Sequence, residues 1–302
     1  MPAEGAIETP EVAAFEVQPE ARLFRPIANA PHLSASSCAP VREIEILDET
    51  GARHAIYIPE ERALTVFLDG RELVTLMTLG ASPELLVLGF LRNQRLIEDP
   101  AALESISVEW RTGAAMVKSR RPPLGPASAP ADPRLAPRIT AGSSGQGSVY
   151  ARLMSDLDAI RLPNAANSRI SADMLYSVLD TMRRHDTIHR LARSVHSCAL
   201  FQEGRLLVSV EDVSRHNGLD TVSGWMALHG IDGGNKILFT TGRLTGEMVI
   251  KAAQCGVPIV ISRNGVSAMG YELALKFGMA LFGRAVNRRF HCYVGQERFV
   301  AG

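Results

Sequence analysis

From Ser171 to Val294 the sequence alternates short aliphatic or β-branched runs with segments of helical spacing. That alternation leaves few folds open, because strands separated by helices pack as a sheet covered on both faces. Ser171 is placed to cap a helix whose Leu175, Val178, Leu179 and Met182 share one apolar side. Strands are expected at residues 206–210, 236–239, 257–262, 280–283 and 290–294, and helices at 219–228, 245–254 and 271–277. Residues 257–262 are almost wholly apolar, as a strand buried on both faces requires.

The part before this α/β region has a different pattern. Residues 42–47, 54–58, 64–68 and 72–78 read as strands, with Asp69-Gly70 as a hairpin turn. Ser82-Pro83-Glu84 then opens a helix that runs to Arg95, and 106–110 and 115–117 look like further strands. Residues 119–137 hold six prolines, which makes them the best boundary. The expected organisation is a flexible leader over 1–40, a small β-rich α+β domain over 41–118, a Pro-rich linker over 119–137 and an α/β domain over 138–302.

Lys plus Arg equals Asp plus Glu at 32 each. A chain without surplus cations is poorly suited to coating nucleic acid, although a local basic pocket stays possible. Four scattered cysteines, Cys38, Cys198, Cys255 and Cys292, make neither a disulfide framework nor a Cys-x-x-Cys pair. With acidic Glu4 and Glu8 near the start and no apolar run of about 18 residues, the expected setting is the cytoplasm, away from membranes.

Five segments carry side chains able to do chemistry. Glu211-Asp212-Val213-Ser214-Arg215-His216-Asn217 follows an apolar strand, where ligand groups gather in α/β sheets. Arg215 can grip a phosphate or carboxylate and His216 can exchange a proton; a polar loop capping the next helix is the competing role. Thr240-Thr241-Gly242-Arg243 joins a strand to a helix and suits either an anion or an ordinary turn. Gly142-Ser143-Ser144-Gly145-Gln146-Gly147-Ser148 is a phosphate-wrapping or flap loop, or an extension of the linker. His196 and Cys198 lie two apart in a strand, so the imidazole can activate the thiol unless the cysteine is simply buried. Arg284, Asn287, Arg288 and Arg289 form a basic segment, either a phosphate site or a surface ion-pair patch.

Taken in order, these segments resemble the formate dehydrogenase accessory protein family (FdhD/NarQ). The matching residues are Leu68-Asp69-Gly70, Met77, Gly89-Phe90-Leu91, His196 with Ala199, the Glu211–Asn217 run with Asp220, Gly242-Arg243 with Glu247-Met248 and Lys251, Leu281-Phe282-Gly283 and Arg298. The resemblance implies a cytidine-deaminase-like three-layer α/β core with a smaller N-terminal β-rich domain, in a homodimer. It also implies a sulfurtransferase-type activity. Sulfur passes from a cysteine desulfurase, as a persulfide, to the molybdenum (or tungsten) bis(molybdopterin guanine dinucleotide) cofactor of the formate dehydrogenase catalytic subunit. A guanine nucleotide would then stand in for that cofactor, and the chain needs no metal of its own. The implied cofactor-binding residues are Gly145, Gln146, Gly147, Glu211, Asp212, Arg215, His216, Asn217, Thr241, Gly242, Arg243, Arg284, Asn287, Arg288 and Arg289, with His196 beside the sulfur chemistry.

One departure bears on all of this. Where the family carries its sulfur-bearing cysteine, this chain has Ser144, and Gly147 stands at the second cysteine position. A hydroxyl cannot hold a persulfide. Three accounts are open: an engineered serine, a natural cysteine-less member that binds the cofactor without carrying sulfur, or another thiol in its place, with Cys198 best situated. Arg193-Ser194 also replaces glycines that usually precede the histidine, and Thr221 replaces a lysine. A zinc nucleobase deaminase is a further alternative suggested by the fold, but it needs His-x-Glu and Pro-Cys-x-x-Cys, which are absent.

Overall fold

The computed structural model describes residues 13–120, 157, 160–185 and 187–301. Its centre is a seven-stranded mixed sheet. From edge to edge the strands are Phe15–Val17, Arg205–Asp212, His196–Gln202, Lys236–Thr240, Ile259–Ser262, Ala280–Val286 and Arg289–Val294. Lys236–Thr240, Ile259–Ser262 and Ala280–Val286 run parallel, and the remaining neighbours are antiparallel. The three parallel strands therefore finish at one edge of the sheet, and the antiparallel His196–Gln202 strand begins there. This edge is where the site forms.

Period-two alternation divides the sheet's apolar residues between two cores. On one face Cys198, Leu200, Val208, Leu238, Val260 and Leu281 pack with the helices Arg215–Leu228, Gly246–Gln254 and Ala268–Phe277. On the other, Ala199, Phe201, Phe239, Ile261 and Phe282 meet Leu175, Val178, Leu179 and Met182 of the helix Ala172–His185. These are the four residues whose spacing marked that helix's apolar side. Helices thus cover both faces of the sheet, the mixed α/β layering expected from the alternation.

The N-terminal part builds a five-stranded sheet in the order His32–Leu33, Leu103–Glu109, Ala114–Ser119, Arg62–Leu68 and Arg71–Thr78, with a separate hairpin of Val41–Leu47 and Arg53–Pro59. Its helix Pro83–Asn93 lies directly on Arg215–Leu228. Two glycines permit that approach. A Cβ on Gly89 would sit 1.7 Å from the Asp220 carbonyl oxygen, and one on Gly224 would sit 2.0 Å from the Leu85 carbonyl oxygen. Buried residues of both parts form one continuous apolar cluster, from Leu64 and Leu88 to Leu219 and Val260.

Two expectations need correction. Residues 13–40 are not a featureless leader: Phe15–Val17 adds an edge strand to the main sheet, and His32–Leu33 pairs with Leu103–Glu109. Composition cannot reveal this, because the pairing partners lie far away in sequence. The Glu211–Asn217 run is not a loop either. Glu211 and Asp212 end a strand, Ser214 caps with its Oγ 3.3 Å from the His216 N–H, and the helix starts at Arg215. Among the described residues no helix is long and apolar enough to cross a membrane.

Candidate functional site

Once the Glu211–Asn217 run is folded, its residues separate by task. The Glu211 carboxylate accepts the N–H groups of Thr187 (3.1 Å), Ile188 (2.8 Å) and His189 (3.0 Å), together with the Thr187 hydroxyl. It caps the short helix Thr187–Ala192. Asp212 accepts from the Thr78 hydroxyl (2.5 Å), the Leu79 N–H (3.2 Å), the Ser214 N–H (3.1 Å) and the Asn217 amide (2.9 Å). The Asn217 amide also donates to the Met77 carbonyl at 2.7 Å. All three are buried, and all three join segments distant in sequence. Arg215 and His216 remain for a ligand.

Arg215 faces the turn after Lys236–Thr240. A Cβ at position 242 would fall 2.6 Å from both Cβ and Cδ of Arg215. Gly242 is therefore required by the arginine's stem and not by an unusual φ. The turn itself is tightly held: the Gly242 N–H donates to Thr240 Oγ1 (3.0 Å), the Ser262 hydroxyl to the Gly242 carbonyl (2.6 Å) and the Asn264 amide to the Thr241 carbonyl (2.9 Å). Thr241 Oγ1 accepts the Ser197 N–H at 2.9 Å and lies 3.3 Å from His196 Nδ1. Arg243 projects to solvent.

The result is a cluster of two arginines and neighbouring imidazoles, with Glu247 as the acid that acts on Arg215. His196 is held below the ordinary histidine range by burial first, then by Arg215, Arg243 and His189. Arg215 is pulled down by burial and then by Arg243. Among the described residues, Arg215 Nε and His189 Nδ1 are buried and have no hydrogen-bond partner. Buried donors without partners are costly, and an anion bound at this edge would satisfy them. Nothing in the sequence marked His189; the Glu211 cap, which is long-range, brings it here.

Arg284 joins the same edge through its backbone N–H, which donates to the Asn264 carbonyl at 2.9 Å. Further along the segment, the Arg288 side chain lies on the opposite face. Asn287 and Arg288, with φ of 50° and 59°, form the tip of the last hairpin, between the paired Val286 and Arg289. The Arg288 guanidinium lies 4.9 Å over the Tyr176 ring, on the side of the sheet that Ala172–His185 covers. Ser144, Gly145, Gln146 and Gly147 lie outside the described residues.

Cys198 is not exposed to a reaction partner. It is fully buried, its Sγ 3.3 Å from Thr240 Oγ1, and Gly218 is a glycine because a Cβ there would stand 3.0 Å from that sulfur. Burial drives the thiol up to about 12, so a thiolate does not form near neutral pH. Among the described residues no three His, Cys, Asp or Glu side chains are gathered as metal ligands.

A buried polar line backs the cluster. The Asn93 amide donates to Asp220 (2.7 Å), Lys251 Nζ donates to Asp220 (2.9 Å) and stands 3.4 Å from Glu247 Oε1, and that oxygen is 3.5 Å from His216 Nδ1. Burial opposes charge on Lys251, but Asp220 and Glu247 together outweigh it and hold the ammonium above its ordinary value. The i,i+4 spacing of Glu247 and Lys251 was visible in the sequence; the role of the pair behind His216 was not.

Fold and site together define a mixed α/β protein with a cationic pocket at the ends of its parallel strands. The chain belongs to the FdhD/NarQ family, whose model matches residues 59–300. Similar curated proteins include the sulfur carrier protein FdhD of Listeria monocytogenes, 24% identical over 80% of this chain and 90% of its own length. That of Bacillus pumilus is 27% identical, covering 80% and 89%. The fold is shared with the crystal structure of a protein of Desulfotalea psychrophila assigned as a formate dehydrogenase accessory protein. The TM-score is 0.67 at 24% identity, covering 86% of this chain and 98% of that one.

Proposed function

We propose that this chain serves formate dehydrogenase maturation by binding the bis(molybdopterin guanine dinucleotide) molybdenum cofactor as cargo for the catalytic subunit, without carrying sulfur itself. The observation behind the reading is the pairing of an anion-ready cluster with an unusable thiol. Arg215, His189, His196, Thr241, Gly242 and Arg243 converge, with buried donors left unpaired, while Cys198 beside them is sealed and protonated. Phosphate oxygens fit such residues. Arg215 and Arg243 would hold them, the Gly242 turn lets the guanidinium lie close, and Arg284 extends the edge. Glu211, Asp212 and Asn217 contribute by fixing the wall and not by touching the cargo. The cofactor brings its own metal chemistry to the client; this chain's residues bind and orient it.

Isothermal titration with GDP tests binding, with saturable binding expected and its loss expected in Arg215→Ala. Incubation with a cysteine desulfurase and labelled cysteine tests the second half. The wild-type chain stays unlabelled, and Ser144→Cys acquires a reducible label. Label on Cys198 in the wild type would overturn the reading.

The names of the relatives favour a second reading, in which sulfur delivery persists. It requires a thiol other than Cys198, and labelling of Cys38, Cys255 or Cys292 under the same conditions would establish it.

A further inference from the structure

The line Asn93–Asp220–Lys251–Glu247–His216 needs an explanation beyond stability. The Lys251 and Asp220 side chains are only 2% and 3% exposed, and a buried ion pair costs desolvation that an apolar pair of the same volume avoids. The line also has a direction. It starts in the helix crossing at Asn93 and ends at a ring on the rim of the cationic cluster.

At that end the protonation pattern follows from the partners. Glu247, held by Lys251, is a carboxylate: burial works against it, but the attraction of Lys251 leads the effects that keep it below the ordinary range. A carboxylate only accepts, so the nitrogen facing it carries the hydrogen. That nitrogen is Nδ1, which is buried, makes no hydrogen bond among the described residues and has the Glu247 carboxylate 3.5 Å away as the acceptor within reach. The groups facing the ring are Lys251 and Glu247 from Gly246–Gln254, Arg215 from its own helix and His196 from the neighbouring strand. Burial, with Lys251 next, holds the ring down to about 3, so it stays neutral at physiological pH. The side chain is 20% exposed, and because Nδ1 is covered, that exposure falls on its other atoms.

We propose that Asp220, Lys251 and Glu247 are positioning residues that hold His216 as the neutral Nδ1–H tautomer. Its Nε2 then offers a lone pair near Arg215 and His196 and accepts a hydrogen bond from the bound ligand. The inference rests on the reading of this cluster as a binding site and narrows its ligand. Arginines offer only donors. An acceptor among them selects an anion that also carries an N–H or O–H group, as a nucleotide does, over one without hydrogen such as sulfate.

Nitrogen-15 NMR of the imidazoles tests the tautomer without any ligand. Wild-type His216 is expected to show a protonated Nδ1 and an unprotonated Nε2, unchanged from pH 8 to pH 5. In Glu247→Gln, which removes the charge but keeps the shape, the Nε2–H form becomes populated. GDP affinity falls roughly tenfold there, the size of one hydrogen bond, while sulfate, which has no hydrogen to donate, binds as before. His216→Gln, whose amide oxygen can replace the acceptor, recovers most GDP affinity and His216→Phe does not. Circular dichroism confirms that the variants are folded. An Nε2–H tautomer or an imidazolium in the wild type at pH 6 overturns the proposal, as do equal affinities for the glutamine and phenylalanine variants. A wild type that binds no nucleotide defeats the cofactor-binding reading instead, and the tautomer measurement still decides the positioning.

Discussion

Replacing Lys251 with methionine removes the only cation within 3 Å of the Asp220 carboxylate among the described residues and leaves the volume nearly unchanged. Removing one partner of a buried pair costs about 3–5 kcal/mol, because the other charge is left uncompensated. Asn93 still donates to Asp220 at 2.7 Å, which places the expected cost at the lower end, about 3 kcal/mol. At about 2–4 °C per kcal/mol for a protein of this size, Lys251→Met should melt roughly 6–12 °C below the wild type. Burial is already the largest influence on Asp220 and raises its pKa; losing Lys251 raises it further. A carboxyl whose folded pKa exceeds its unfolded value binds more protons when folded, so its contribution to stability grows as pH falls. The deficit of Lys251→Met should therefore shrink between pH 8 and pH 5. Asp220→Asn/Lys251→Met, with both charges gone, should regain most of the lost stability. Differential scanning calorimetry of the four proteins in the cycle, at pH 8 and pH 5, measures this. A double variant as unstable as the sum of the single ones, or a deficit that widens at low pH, would refute the ion-pair reasoning.

Other consequences are independent of that pair. Gly89→Ala should abolish folding or lower the melting temperature by more than 10 °C, because backbone atoms on both helices must separate by well over 1 Å; circular dichroism melts report it. Arg193→Gly and Ser194→Gly should each stabilise by about 1 kcal/mol in urea unfolding, since both residues sit at φ near +50°. In His216, whose folded pKa lies far below its unfolded one, the unfolded chain binds the extra proton, so stability falls as pH drops from about 6.5 towards 3. His216→Gln should flatten that part of the pH profile. Native maleimide labelling at pH 7, read by peptide mass spectrometry, should leave Cys198 unmodified until denaturant is added.

The sheet and its helices were legible because apolar periodicity is local: Leu175, Val178, Leu179 and Met182 announced one face of a helix wherever that helix packs. The site was legible only as composition. Six polar residues among the seven from Glu211 to Asn217 signalled a special place, but strand pairing and caps sort them. Glu211 is assigned by backbone N–H groups 22–24 residues away, and Asn217 by a carbonyl 140 residues away. No spacing rule reaches that far. For the same reason Phe15–Val17 looked like leader, and His189 passed unnoticed. The Arg193-Ser194 departure, by contrast, gains a physical meaning: two consecutive left-handed residues are where glycines cost nothing.

If the chain binds its cargo without carrying sulfur, as proposed, the division of labour at the sheet edge accounts for it. The groups proposed to hold phosphate stand on strand ends and the first turn of a helix, and the surrounding backbone is fixed by Asp212, Asn217, Ser262 and Asn264 through hydrogen bonds that involve no sulfur. Ser144, which the family resemblance places at the sulfur position, lies outside the described residues. On the proposed reading, a serine at position 144 removes the sulfur step and leaves these hydrogen bonds in place. The converse should also hold: Ser144→Cys should leave GDP affinity within a factor of two, a difference of about 0.4 kcal/mol, while conferring sulfur loading. If the serine-to-cysteine change instead altered nucleotide affinity tenfold, loop and pocket would be one energetic unit, and the separation argued from these hydrogen bonds would be false.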